Sequence, residues 1–158
     1  MSPITAVLAV CLVFPSVAAD CLNGWTRFDN SCYRVYRNGT EWPLAVFDCE
    51  KKSGYLAQFD TASKIQNAHA LMRELNGKVD DKIWIGASDV RHENVWVWEN
   101  SRQNVTIFDW GGKEPNQGSS STQQDCVMMY GKYDFKWADD ICTSHFQYLC
   151  ERPLSASL

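Results

Sequence analysis

The stretch WGGKEPNQGSSSTQQDCVMMYGKYDFKWADDIC, residues 110–142, decides how the chain is read. It brings together an acid–proline–amide triplet (Glu114, Pro115, Asn116), a polar Gly/Ser/Gln loop, two cysteines (Cys126, Cys142) and an acidic pair (Asp139, Asp140). Oxygen-bearing side chains around a proline-fixed turn suit a hard cation such as calcium, which takes about 6–8 oxygen ligands. The Glu114–Pro115 bond is a candidate cis peptide, a form that costs an X-Pro bond only about 0.5–1 kcal/mol. A cis bond there swings the Glu114 and Asn116 side chains toward one point. An ordinary proline turn is the competing reading of the triplet alone, so the weight falls on its surroundings.

The chain has 158 residues and a formal net charge of −4. That length fits one domain. The negative balance argues against a nucleic-acid partner, because phosphate binding needs a basic face. Residues 1–19 carry no charged side chain, and Ile4 to Phe14 is an apolar run broken only by Thr5. Followed by Pro15 and the small residues Val17-Ala18-Ala19, this reads as a secretory signal peptide cut before Asp20, although its only positive charge is the amino terminus. The run is shorter than the ~20 residues a bilayer needs, and no second run of that length follows. The expectation is a secreted, extracellular domain over residues 20–158 with no membrane span. The cut removes Cys11 and leaves Cys21, Cys32, Cys49, Cys126, Cys142 and Cys150. An even cysteine count in an exported domain argues for three disulfides, whose pairing spacing alone does not choose. Zinc is the rival use of these cysteines, but there is no CxxC pair and His69, His92 and His145 are scattered.

In chain order, residues 21–36 read as an aromatic hairpin with turns at Asn23-Gly24 and Asp29-Asn30. Asn38 and Asn104 each open a glycosylation sequon. Thr40 is a candidate N-cap for a helix whose face is Trp42, Ala45, Val46 and Cys49 and which ends near Ser53-Gly54. Residues 55–59 are a strand candidate. Thr61 or Ser63 caps a second helix with the stripe Ile65, Ala68, Met72 and Leu75, ending at Asn76-Gly77; His69 sits there as a solvated or half-buried residue. Strands are then expected at 83–86, 95–100, 127–130 and 146–149. Residues 109–124 carry no periodic signal, and so long a loop in a compact domain is usually functional. Helices followed by strands make an α+β fold.

Taken together, these pieces resemble a C-type lectin domain. The matching residues are Cys21 and Cys32, the helix with Trp42, Ala45 and Cys49, the strand Trp84-Ile85-Gly86, Trp98, the triplet Glu114-Pro115-Asn116, Asp125-Cys126, Trp137 with Asp139 and Cys142, and Cys150-Glu151. The resemblance covers residues 21–152. Within the family, KIWIGASDVRHENVWVWEN (82–100) looks most like the perlucin-type lectins of molluscs.

The resemblance implies two helices, two small antiparallel sheets and a long calcium- and sugar-binding loop. It implies disulfides Cys21–Cys32, Cys49–Cys150 and Cys126–Cys142. It also implies a calcium ion held by Glu114, Asn116, Gln124 and Asp139, of which Glu114, Asn116 and Asp139 share the sugar. The Glu-Pro-Asn order goes with mannose-type glycans. Two positions depart from the family pattern: Gln124 stands where an acid is usual, and Ala138 where an asparagine is usual. Fewer charged ligands lower calcium affinity, so a weak site at the ~10⁻⁴–10⁻³ M level is expected. Asp140, one residue on, is a possible substitute ligand. A second family calcium site matches at Asp89, Glu93 and Asp125 but has Gln117 and Gln124 for acids; a solvated turn is the preferred reading of Asp89 and Glu93.

The leading expectation is a calcium-dependent lectin for mannose-type sugars. The alternative is a calcium-independent module that binds protein, mineral or extracellular matrix, in an immune or a matrix setting, with oligomerisation open. An enzyme is disfavoured, since neither a Gly-x-Ser-x-Gly nor a His-Glu-x-x-His signature occurs. Trp84, Trp98, Trp110 and Trp137 are expected in the core or anchoring the loop. Tyr133 and Phe135 are better placed to touch a ligand.

Overall fold

Cys32, Arg34 and Tyr36 alternate with Tyr33, Val35 and Arg37 along β2 (Ser31–Thr40), the longest strand among the described residues. The computed structural model describes residues 20–75, 78–116 and 123–154. The signal-peptide reading of residues 1–19, the helix end at Asn76-Gly77 and Gln117 lie outside them.

β1 (Thr26–Phe28) turns into β2 as the expected hairpin. β2 then pairs antiparallel with β8 (Phe146–Pro153), which also takes β3 (Tyr55–Leu56). β4 (Lys82–Ser88) pairs antiparallel with β5 (Val97–Trp98) and with β6 (Cys126–Tyr130), and β6 with β7 (Lys136–Asp140). The two antiparallel sets meet at the parallel pair β4–β8, so hydrogen bonding makes one mixed sheet of order β1-β2-β8-β4-β6-β7.

α1 (Trp42–Lys51) buries Trp42, Ala45 and Cys49, three positions of the expected face. Its N-cap is Glu41 rather than Thr40. Thr40 ends β2, and its carbonyl accepts from Trp84 Nε1 at 3.1 Å. Proline in the first turn lacks an N–H that would be unpaired there anyway. α2 (Ala62–Glu74) starts as expected, with Thr61 Oγ1 accepting from the Lys64 N–H at 3.2 Å. Leu71 joins Ala68 and Met72 in its buried stripe.

Two expected strands are shorter than read. After Leu56 the chain leaves the ladder and crosses the core: Ala57 N–H donates to the Leu149 carbonyl, while the Ala57 carbonyl accepts from Gly86 N–H, each at 2.9 Å. This crossing runs so close to β4 that a Cβ on Gly86 would lie 2.5 Å from the Leu56 carbonyl oxygen. Of residues 95–100 only Val97 and Trp98 pair. One strand, β7, went unread because its sequence KWADD holds three charges in five positions. Trp137, Ala138 and Asp139 are nevertheless all buried there.

The core forms two clusters. Phe59, Met72, Ile83, Trp98 and Trp137 belong to one. Trp42, Trp84, Met128, Ala138 and Tyr148 belong to the other. The three disulfides are those the resemblance implies: Cys21–Cys32, Cys49–Cys150 and Cys126–Cys142. The second ties α1 to β8. A carboxylate, Glu151, lies wholly inside, accepting from Ser31 Oγ at 2.7 Å and from Gln58 N–H at 3.0 Å, with Lys64 Nζ at 2.9 Å. Burial first, and the Glu151 charge second, push the Tyr33 and Tyr55 hydroxyls well above the ordinary phenol range.

Candidate functional site

Strand β7 delivers Asp139 to the sheet edge, and a cis Glu114–Pro115 bond turns the preceding loop toward it. The Asn116 backbone N–H donates to Asp139 Oδ1 at 2.9 Å. Asn116 Nδ2 donates to Glu114 Oε2 at 2.6 Å. Gln124 Nε2 reaches the Asp139 main-chain carbonyl at 3.4 Å. The four residues of the expected site are therefore gathered at one place, although Asp139 is 2 % exposed and Asn116 is open to solvent.

Tyr133 completes the cluster from the short 3₁₀ turn Gly131–Tyr133, its hydroxyl donating to Glu114 Oε1 at 3.2 Å. Its ring lies flat on the start of the loop, where a Cβ on Gly111 would come within 2.5 Å of Tyr133 Cβ. The adjacent glycines Gly111 and Gly112 were the sequence signal for this close approach. Phe135 does not join it but packs against the first core cluster. A further anchor was not legible: His69 Nε2 on α2 sits 2.7 Å from Asp109 Oδ2, and Lys136 Nζ lies 3.3 Å from Asp109 Oδ1. These contacts hold the root of the loop against α2 and β7. His69 is thus half-buried and paired with a carboxylate.

The local electrostatics favour a cation. Burial, then the neighbouring Asp139 carboxylate, pushes the Glu114 carboxyl above its ordinary value. Burial and Asp139 likewise raise Asp125. Acids crowded together in this way gain from a positive charge placed between them. An all-oxygen set of two carboxylates and an amide fits calcium in kind. It is short in number: among the described residues no group of three or more His, Cys, Asp or Glu side chains converges as a metal site. Ala138 turns into the second core cluster at 1 % exposed. Asp140 does not substitute, because it holds Lys82 Nζ at 2.9 Å and caps Ile141 N–H and Ser144 Oγ.

At the second family site, Asp89 is not the solvated turn residue expected. It is 2 % exposed, and its Oδ2 accepts from the Asn94 N–H at 2.8 Å, closing the 89–94 turn. Glu93 is exposed. Trp84, Trp98 and Trp137 are buried, and Trp110 packs edge-on against Trp96 and Trp137. Both sequon asparagines, Asn38 and Asn104, are exposed. No helix among the described residues is long and apolar enough to cross a membrane.

The comparisons with known proteins agree with this architecture. The chain matches the Lectin C-type domain over residues 38–152. It is 25% identical over 133 residues to a perlucin-like protein of Mytilus galloprovincialis, covering 83% of this chain and 82% of that one. It is 27% identical over 134 residues to a C-type lectin mannose-binding isoform of Oxyuranus scutellatus, again covering 83% and 82%. The crystal structure of a calcium-independent type II antifreeze protein shares the fold at a TM-score of 0.71 and 24% identity, covering 86% of this chain and 96% of that one. With the family match running from Asn38 to Arg152, through α1, the loop, β7 and two of the three disulfides, the chain belongs to the C-type lectin domain family.

Proposed function

We propose that this protein is an exported, calcium-dependent lectin that binds mannose-type sugars through Glu114, Asn116 and Asp139, with Gln124 assisting. The observation that carries this reading is the clasp in which Asn116 bonds Asp139 with its backbone and Glu114 with its side chain. Calcium, when bound, would supply the positive charge to which sugar hydroxyl oxygens are drawn. Glu114 offers only acceptors, whereas the Asn116 amide both donates and accepts. Two neighbouring hydroxyls of one sugar ring can thus donate to the first and accept from the second. The Tyr133 hydroxyl positions Glu114 from its far oxygen. The relative named as mannose-binding supports the sugar class.

Titration calorimetry with calcium, followed by chelator elution from mannose-agarose, tests the proposal. The expected result is weak heat of binding and retention that a chelator reverses. Glu114→Gln and Asp139→Asn should each weaken calcium binding by roughly tenfold or more, since affinity follows ligand charge. No heat and no retention at several millimolar calcium would reject it.

Acid gives a second test. Because Glu114 binds its proton above the ordinary carboxylate range, protons compete with calcium earlier than they would at an isolated glutamate. Sugar retention should therefore fall as pH drops through this raised value. The sign reverses for the calcium-free domain. Its folded state holds the Glu114 proton more tightly than the unfolded chain, so its stability should decline as pH rises through the same window. Thermal melts with and without calcium across pH 4–7 (an interval of about three units) check both slopes.

The second reading is a calcium-independent binding module for protein, mineral or matrix. Two observations favour it: Ala138 is committed to the core, and the Gln124 amide nitrogen is turned to a main-chain carbonyl. Calcium-blind binding to such a partner, with no mannose retention, is its signature.

A further inference from the structure

On the far side of the sheet from β7, β1 ends early and leaves the edge of β2 open beyond Tyr33. A cleft of about 640 Å³ follows this edge, bordered by Gly24, Arg34, Tyr36, Asn38 and Lys52. Two of its lining rings, Tyr36 and Tyr148, stack with centres 5.3 Å apart, and Trp25, just outside the lining, meets Tyr36 edge-on at 6.4 Å. Cations are held over these rings. The Arg34 guanidinium lies 5.0 Å from the Tyr36 centre, Lys52 Nζ lies 4.6 Å from it, and the Arg152 guanidinium lies 5.8 Å from Trp25. Arg34 is further walled in by Gly24, where a Cβ would approach Nη1 to 3.1 Å.

The charges are not balanced locally. Asp48 is the carboxylate lining the cleft, and it is engaged by Lys52 and by the Tyr148 hydroxyl. Among the described residues, Arg34, Arg37 and Arg152 form no ion pair. In the β2–β8 register Arg34 faces Cys150, which places Arg152 on its diagonal, about 7–8 Å away across the ladder. Two guanidinium groups without an ion pair, Arg34 and Arg152, thus share one face of the β2–β8 ladder on a chain whose net charge is −4. Ring contacts hold both in place before any ligand arrives, which reduces the ordering cost of binding.

We infer that this cleft is a second carbohydrate site, independent of calcium, for a sulfated polysaccharide. Guanidinium groups pair with sulfate through two parallel hydrogen bonds, as they do with other oxyanions. The half-buried faces of Trp25 and Tyr36 suit the apolar side of a pyranose ring. A phospholipid surface fits less well, because Tyr36 and Tyr148 line a recess instead of standing proud of it. Asn38 lies at the same cleft, so a glycan carried there would cover it.

The test uses the full chain carrying Asn38→Gln, with chelator present, titrated with a heparin-derived octasaccharide. Binding is expected, weakened by added salt because exposed charges are screened. Arg34→Ala with Arg152→Ala should lower affinity by roughly tenfold or more, the loss of charge-assisted pairs. Arg91→Ala, on an exposed side chain elsewhere, should change it less than about twofold. Circular dichroism and a thermal melt, unchanged in the double variant, establish that it is folded. A neutral dextran octasaccharide should not bind. Absence of octasaccharide binding, binding indifferent to Arg34 and Arg152, or equal capture of phosphatidylserine vesicles would overturn the inference. Loss of the Glu114 site by Glu114→Gln should leave octasaccharide binding intact, so failure of one site is distinguishable from failure of the other.

Discussion

Glu151→Ala is expected to destabilise the domain by about 2–4 kcal/mol, from buried donors that cost about 1–3 kcal/mol each when left without an acceptor. Glu151 is 0 % exposed. Its removal leaves Lys64 Nζ, Ser31 Oγ and the Gln58 N–H without the acceptor they share. Ser31 and Gln58 have already lost water by being buried, so an empty acceptor position costs more there than the net worth of one hydrogen bond, whereas Lys64 keeps Asp60 at 3.3 Å and the Gln58 carbonyl at 3.2 Å. The Glu151 charge also raises the Tyr33 and Tyr55 hydroxyls after burial does, so its loss changes their surroundings too. Urea titration followed by tryptophan fluorescence measures the effect. Glu151→Gln should fall between, because its amide oxygen still accepts. A loss below about 1 kcal/mol for the alanine variant would show that water or side-chain rearrangement replaces the carboxylate.

Replacing both Cys49 and Cys150 by alanine is expected to cost about 4–5 kcal/mol, the chain-entropy value for a loop of this length. The bridge spans 101 residues, against 11 and 16 for the other two. The same relation gives those shorter loops about 3 kcal/mol. The order of the three losses is therefore the sharper test: the Cys49–Cys150 pair should lie above Cys21–Cys32 and Cys126–Cys142 in the same urea series. Domains of this size are stable by only about 5–15 kcal/mol, so the long-bridge variant stands close to unfolding. Equal losses for all three pairs would show that local packing, and not restriction of the unfolded chain, sets their contributions.

Much of the fold was legible because its signals are periodic. Trp42, Ala45 and Cys49 fall on one helical face, and Thr61 caps the next helix as its side chain allows. The misses have physical causes. β7 escaped because its charges break the apolar pattern that marks a strand; Asp139 is inside, its carboxylate accepting from the Asn116 N–H. Thr40 was taken for a cap when β2 needed it as its last residue. Asp89 was read as solvated, yet a short turn folds back on its carboxylate and hides it. The gathering of Glu114, Asn116, Gln124 and Asp139 was expected from the resemblance, whereas the Tyr133 bond and the His69–Asp109 anchor depend on contacts across long stretches of chain, which no local pattern records.

The neighbouring of β2 and β8 has a consequence for how the domain can be mounted. Ser31 and Pro153 face each other across that pair, and β1 pairs on the outer side of β2, so the first and last strands lie on the half of the sheet away from β7. Four strand spacings separate β2 from β7, a distance of about 19 Å across the sheet. A tether, fusion partner or multimerising stalk that docks on the β1–β2 side of the sheet therefore stands clear of Asp139.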